Sequence, residues 1–253
     1  MCGIAAILLQ PQERPPSIWQ EIRHCFAENL LFNEERGKEA AGIGILKQNG
    51  DASVYKAPLP ARQLVQQPSY RQLIGGLDAQ TTLILGHARH PTKGPPQNEN
   101  NNHPLQAGML LGVHNGHINN DDDLFARRRY PRQGQVDSEI IFRLLWHDLP
   151  QPLAQISLTN IHNSLQQLQG EFTILVGDQR SPESLLIARH NKPLSLHYHP
   201  QWKALIFSSR YIFLRKTFGP AVLYETLPDN HLFFYNALHL SQHGAAPIQS
   251  QPC

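Results

Sequence analysis

Four short stretches of this chain gather chemically able side chains beside glycines. They are Arg36-Gly-Lys-Glu-Ala-Ala-Gly42, Gly86-His-Ala-Arg-His-Pro-Thr-Lys-Gly94, Val113-His-Asn-Gly-His117 and Val136-Asp-Ser-Glu139. A further feature stands apart: a cysteine directly behind Met1, followed by the apolar run Gly3–Leu9. Taken singly, each has an ordinary reading. Asn115-Gly116 suits a turn, Asp137-Ser138 suits a helix cap, Arg89 suits a surface, and Cys2 suits a small buried hydrophobe. Together they meet the needs of one reaction, attack on an amide carbonyl, which requires a nucleophile, a base and donors aimed at the oxyanion. Cys2 is the candidate nucleophile. With Met1 removed, its own α-amine lies beside the thiol. An α-amine of pKa about 7.7–8.0 is available as a neutral base near physiological pH, unlike lysine at about 10.4. Asn115 and the backbone N–H of Gly116 are the candidate oxyanion donors. Arg89 and Asp137 are opposite charges suited to a zwitterionic substrate, the guanidinium for an α-carboxylate and the carboxylate for an α-ammonium.

These residues need elements that hold them. Gly3–Leu9 reads as a strand buried on both faces. Pro11 to Pro16 breaks it, and Ser17 to Gln20 reads as a capping-box start of a helix. Ile18, Ile22, Cys25, Phe26 and Leu30 then recur at helical spacing until Gly37, with Cys25 on the apolar stripe. Ala41–Lys47 and Ala52–Lys56 flank an Asn-Gly pair and predict a hairpin. Residues 58–80 are mixed and in part helical. Thr81–His87 and Gly108–His114 predict two core strands. The Pro-, Asn- and Gly-rich stretch His90–Gln106 between them is too long for a tight turn, and is a candidate functional loop. Helical patterns follow at Asp121–Arg129, Ser138–Leu149 and Leu153–Leu168. Short strands are expected at Phe172–Gly177, Ser184–Arg189, Leu194–His199, Ala204–Phe207, Val222–Glu225 and His231–Tyr235. Strands, then helices, then strands again predict stacked sheets covered by helices in one α+β domain. A loose tail, Ser241–Cys253, closes the chain, and Cys253 is expected to be an exposed thiol without a role.

Composition narrows the classes. The 253 residues are 40% hydrophobic and 17% charged, with a net charge of +2. That balance gives no electrostatic footprint for nucleic acid or an anionic membrane. The apolar runs are far shorter than the roughly 20 residues that span a bilayer. The start shows neither a basic n-region nor a cleavage-site pattern, so no secretory signal is expected. Cysteines at 2, 25 and 253 form neither a disulfide framework nor a zinc knuckle. A reducing cytoplasm is the expected location.

The motifs and their order resemble those of the glutaminase domain of class II glutamine amidotransferases. These are N-terminal nucleophile hydrolases, as in amidophosphoribosyltransferase and glucosamine-phosphate synthase. Cys2-Gly3-Ile4 is similar to the family's start, Arg36 to Gly42 to its R-G-x-x-A-A-G stretch, and Gly86 to Thr92 to G-H-x-R-[WY]-x-T. Asn101-Asn-His-Pro104 resembles N-x-H-P, His114-Asn-Gly116 matches H-N-G, and Asp137-Ser-Glu139 matches D-[ST]-E. Weaker echoes continue to about residue 210. The resemblance implies a four-layered αββα sandwich over residues 1–240 that hydrolyses the side-chain amide of glutamine. It implies Cys2 as nucleophile, its freed α-amine as base, and Asn115 with Gly116 at the oxyanion. Arg89, Thr92, Asp137 and His103, the last in the N-x-H-P motif, would bind the substrate, and Arg36 would support the terminus. No cofactor or metal is implied.

Some positions depart from the family. His90 stands where Trp or Tyr is usual, and Lys93 where His or a small residue is usual, both on the loop expected to close over glutamine. The family's usual synthase half has no counterpart in these residues. A stand-alone amidotransferase is therefore expected, passing ammonia to a separate synthase subunit or releasing it. Two other readings keep the pocket: hydrolysis of another γ-glutamyl amide, and a non-catalytic glutamine-binding module. The cluster His87, His90, His103, His114 and His117 invites a metal site. His87 and His114 occupy positions where the amidotransferases carry histidine without metal, so packing is the preferred explanation there.

Overall fold

The computed structural model describes residues 1–222 and 227–252. The chain runs β1 (Gly3–Leu9), α1 (Pro16–Asn33), β2 (Ala40–Lys47), β3 (Ala52–Ala57), α2 (Ala61–Leu64), α3 (Pro68–Gly75) and β4 (Thr81–Arg89). It continues through β5 (Leu105–Ala107), β6 (Leu110–Ile118), α4 (Asp121–Arg128), α5 (Glu139–Asp148) and α6 (Leu158–Leu165). The last third holds β7 (Gly170–Asp178), β8 (Ser181–His190), β9 (Ser195–His199), β10 (Ala204–Ser208), α7 (Tyr211–Phe218), β11 (His231–Asn236), α8 (Leu240–His243) and β12 (Gln249–Pro252).

The strands form two six-stranded sheets, ordered β3-β2-β4-β1-β10-β9 and β12-β11-β8-β7-β6-β5. Each recorded strand pairing is antiparallel. Alternation along the strands sorts the apolar side chains into three layers. Ala5, Ile7 and Leu9 of β1 pack under α1, with Ile22, Phe26 and Leu30. Ile4, Ala6 and Leu8 of the same strand face the second sheet and meet Leu111 and Val113 of β6. The outer face of the second sheet is covered by α4, α5 and α6 through Leu124, Ile141, Leu145 and Ile161. The order helix, sheet, sheet, helix is the expected αββα sandwich.

Most expected elements are present, with informative differences. The helix expected to open on a capping box begins instead at Pro16, and no side chain caps it. Proline's fixed φ suits the first helical position, where its missing N–H costs nothing, so the serine behind it is not used as a cap. Asn115-Gly116 forms no turn, because both residues lie inside β6. α7 was not expected, and the tail expected to be loose carries β12, which pairs with β11. The strand expected at Val222–Glu225 lies outside the described residues beyond Val222, as does Cys253. No helix among the described residues is long and apolar enough to cross a membrane.

Candidate active site

The inward period of three strands assembles the site. Cys2 continues the Ile4, Ala6, Leu8 face of β1, and Arg89 continues the face of Leu83 and Leu85 on β4. Asn115 continues that of Leu111 and Val113 on β6. All three therefore face the space between the sheets at one end. Cys2 is buried, 8% exposed, and its Sγ sits 3.4 Å from both the amide nitrogen and the carbonyl oxygen of His90. Burial pushes the thiol up. The His90 backbone, the terminal ammonium and Arg89 oppose that shift, while Asp137 adds to it. A thiol raised in this way needs a base before it can attack.

The segment Arg36 to Glu39 ties this corner together. Arg36 Nε donates to the Cys2 carbonyl oxygen at 2.6 Å, and Glu39 N–H donates to the Arg89 carbonyl at 3.2 Å. Between them Gly37 packs so tightly that a Cβ there would lie 2.3 Å from the Arg89 carbonyl carbon. Only glycine permits that approach. Arg36 thus lies against the backbone of Cys2.

Asn115 is 1% exposed, and neither its amide oxygen nor its amide nitrogen has a protein partner. Such an orphaned pair inside a protein calls for a ligand or solvent. Gly116, at φ +147°, has no room for a side chain, since a Cβ would fall 1.9 Å from the Glu171 carbonyl oxygen. Asp137 is buried, and its Oδ2 accepts the Ile118 N–H at 2.7 Å while Oδ1 faces Thr92 Oγ1 at 3.4 Å. Burial raises its pKa against those hydrogen bonds. Thr92 and Asp137, 45 residues apart, are therefore neighbours.

Arg89 and His103 sit differently from a simple substrate clamp. Arg89 Nη1 donates to Asn102 Oδ1 at 2.9 Å, and Nη2 donates to the carbonyls of Lys93 at 2.7 Å and Gly94 at 2.9 Å. Both hydrogens of Nη2 are engaged, so a bidentate carboxylate has to displace a loop carbonyl. His103 stacks on His87, with ring centroids 4.2 Å apart, and makes no side-chain hydrogen bond to a protein group. His87 Nε2 donates to the His114 carbonyl at 2.8 Å, and His114 Nδ1 pairs with Ser138 Oγ at 2.6 Å. Burial drives the pKa of His87 and of His114 down to about 3, and that of His103 well below its ordinary value. Among the described residues no group of three His, Cys, Asp or Glu is placed to hold a metal.

Sequence reasoning passed over several supporting residues. Asn102 holds Arg89 and also reaches the Pro96 carbonyl at 2.7 Å, and Asn101 bonds the Pro95 carbonyl at 2.9 Å. The asparagine run 100–102 was the available signal, because short amides fold loops onto their own backbone. Glu139, third in Asp137-Ser-Glu139, forms a buried pair with Arg143 at 2.8 Å. Lys93 meets Asp121 and Asp122, contacts that no local pattern announces.

Residues 87–216 match the family model described as a glutamine amidotransferase domain. The chain is 25% identical over 217 residues to a 7-cyano-7-deazaguanine synthase of Sulfolobus acidocaldarius, covering 83% of this chain and 43% of that protein. It is 28% identical over 197 residues to the isomerizing glutamine–fructose-6-phosphate aminotransferase of Haemophilus influenzae, covering 77% and 29%. The chain thus spans less than half the length of these curated relatives. Its fold superposes on the glutamine phosphoribosylpyrophosphate amidotransferase of B. subtilis with a TM-score of 0.69 at 18% identity, covering 99% of this chain and 49% of that one. A glutamine aminotransferase class-II domain protein of Silicibacter pomeroyi gives 0.61 at 15% identity, with 99% of both chains covered.

Proposed function

The chain belongs to the glutamine amidotransferase domain family, and from that premise we propose that it hydrolyses the side-chain amide of glutamine through a Cys2 thioester. The observation that carries the reading is the buried Cys2 thiol on the same inner end as Asn115, whose amide has no protein partner. In the proposed reaction Met1 is first removed. The freed α-amine of Cys2 takes the thiol proton as Sγ attacks the amide carbon. Asn115 Nδ2 and the Gly116 N–H stabilise the oxyanion. The amine then gives its proton to the departing nitrogen, releasing ammonia and leaving a γ-glutamyl thioester. Water, deprotonated by the same amine, attacks the thioester to yield glutamate and restore the thiol. Asp137 accepts from the α-ammonium, with Thr92 beside it, and Arg89 takes the α-carboxylate by exchanging a loop carbonyl for it. Arg36 fixes the Cys2 carbonyl so that amine and thiol keep their places. His103 stacks on His87, two residues before Arg89 on β4, and is proposed to support the substrate-binding residues there.

The ammonia is proposed to pass to a separate synthase subunit in the cytoplasm. The names of the relatives, a deazaguanine synthase and a sugar-phosphate aminotransferase, support transfer to an acceptor. Incubation of the purified chain with glutamine is expected to release glutamate, and Cys2→Ala to abolish the release. Intact mass is expected to show Met1 absent from active protein. A wild-type chain that leaves glutamine intact refutes the substrate. Activity retained in Cys2→Ala refutes the nucleophile, and full activity with Met1 in place refutes the amine base.

A further inference from the structure

A cluster of four charges lies just outside the catalytic end, on residues that the reaction above does not use. Lys93 Nζ is 2.7 Å from Asp121 Oδ2 and 2.6 Å from Asp122 Oδ2. Arg132 holds the same two carboxylates, Nη2 at 3.0 Å from Asp121 Oδ2 and Nη1 at 2.6 Å from Asp122 Oδ1. The Asp121 side chain is 3% exposed and that of Asp122 is 67% exposed, so one anion is fixed in the protein while the other is open to salt. Two cations facing two anions leave the cluster neutral. Lys93 and Arg132 hold the Asp122 carboxyl down at about 2, and the aspartates raise the Lys93 ammonium, so the Lys93–Asp122 pair stays charged across the neutral range.

The position of this cluster gives it a consequence. Asp121 and Asp122 open α4, three residues after Ile118, whose N–H fixes Asp137. Lys93 lies in the loop of residues 90–104, next to Thr92 and Gly94. Its carbonyl accepts from Arg89 Nη2 on the inside while its ammonium meets the aspartates on the outside. One residue is therefore gripped from both sides, and the two grips join the strand carrying Arg89 to the start of α4, just past the Ile118 N–H that Asp137 accepts.

We propose that Lys93 is a positioning residue for glutamine: its ion pairs with Asp121 and Asp122 hold the 90–104 loop against the rim, so that Thr92 stands beside Asp137 before the substrate arrives. The proposal rests on the glutamine reading above. A loop free in the empty enzyme must be ordered by the substrate, and that entropy loss weakens binding; a loop already held avoids it. The effect accordingly falls on KM, and screening salt weakens it because Asp122 and Lys93 reach solvent.

The test uses the full chain, glutamine as the probe, and amide hydrogen exchange of residues 90–102. Lys93→Ala is expected to raise KM about threefold to tenfold with kcat within about twofold, and to speed exchange in the loop by a similar factor. Lys93→Arg is expected to restore both. Raising salt from about 0.01 M to about 1 M shortens the screening length from about 30 Å to about 3 Å, and is expected to raise the wild-type KM but not that of Lys93→Ala. If Lys93→Ala does not fold, Asp122→Asn, at an exposed position, carries the same comparison. An unchanged KM in the variant, or loop exchange equal to that of the wild type, overturns the proposal. A wild type that does not hydrolyse glutamine overturns the glutamine reading instead, and the exchange comparison still decides whether Lys93 holds the loop.

Discussion

Lowering the pH from 7 to 5 is expected to remove a large part of this protein's folding free energy through three buried histidines. His87, His103 and His114 are buried and packed as a cluster, with centroids 4.2 Å apart for the first pair and 6.3 Å for His103 and His114. His87 Nε2 bonds a carbonyl and must carry its proton there, so a second proton would sit on Nδ1, which has no partner. Burial holds His87 and His114 at about 3, and His103 well below the ordinary value. The sign follows from linkage. In the unfolded chain each imidazole titrates near 6.5, so below that pH the unfolded state binds protons that the folded state refuses. The contribution is complete above pH about 6.5 and is lost as pH falls toward the folded values. At about 1.4 kcal/mol per unit, lowering the pH to 5 costs about 2 kcal/mol for each of His87 and His114, about 4 kcal/mol together, and His103 adds in the same direction. Domains typically hold about 5–15 kcal/mol in total, so unfolding near pH 5 is expected. His197 and His199, also lowered by burial, act in the same direction, while Asp137, raised by burial, opposes it as a single group. Urea unfolding followed by tryptophan fluorescence at pH 7, 6 and 5 reads the loss directly. His103→Phe keeps the stacked ring and removes one titrating group, so the loss should become smaller. A wild-type loss below about 2 kcal/mol over this range, or an unchanged loss in His103→Phe, would refute the assignment of these rings as neutral and dry.

Two substitutions test the oxyanion donors. Asn115→Ala is expected to lower kcat about 10²–10³-fold with a much smaller effect on KM, as for other oxyanion donors; steady-state glutaminase kinetics showing a loss under about fivefold would exclude Asn115 from the transition state. Gly116→Ala places a Cβ 1.9 Å from the Glu171 carbonyl oxygen at a φ of +147°, so β6 and β7 must part locally. A fall in stability above about 2 kcal/mol is expected in thermal or urea melts, with loss of activity; an alanine variant as stable as the wild type would contradict the close packing.

Much of the frame was legible because burial and period leave marks in sequence. Gly3–Leu9 reads as a central strand since both of its faces are covered, by α1 on one side and by β6 on the other. The Asn-Gly pair at 49–50 announces its hairpin through turn chemistry alone. β12 left no such mark. Its sequence Gln-Ser-Gln-Pro has no apolar alternation, and its order comes from pairing with β11 at the sheet edge, where proline is tolerated. The expected capping box failed for a related reason. Ser17 has the right chemistry, but Pro16 ahead of it already starts the helix.

The candidate site divides along the same line. Residue types and their order were enough to single out Cys2, Asn115, Gly116, Arg89 and Asp137, because each is a chemically costly choice for its surroundings. What each one touches depends on register, which a single strand does not reveal. Gly3 pairs with Ala88 between β1 and β4, and that places Cys2 and Arg89 on the same inner face. A slip of one residue would turn His87 and Arg89 into the helix layer and leave the thiol without its charged neighbours. Arg89 shows the limit most clearly. Its charge and fork geometry were evident, yet its hydrogen bonds go to carbonyls of residues 93 and 94, set by a loop that folds back through Asn102. Carbonyls are present at every position, so sequence gives no sign of which ones a guanidinium will find. The consequence is mechanistic. On the proposed reading, the α-carboxylate of glutamine competes for Arg89 with the protein's own backbone carbonyls.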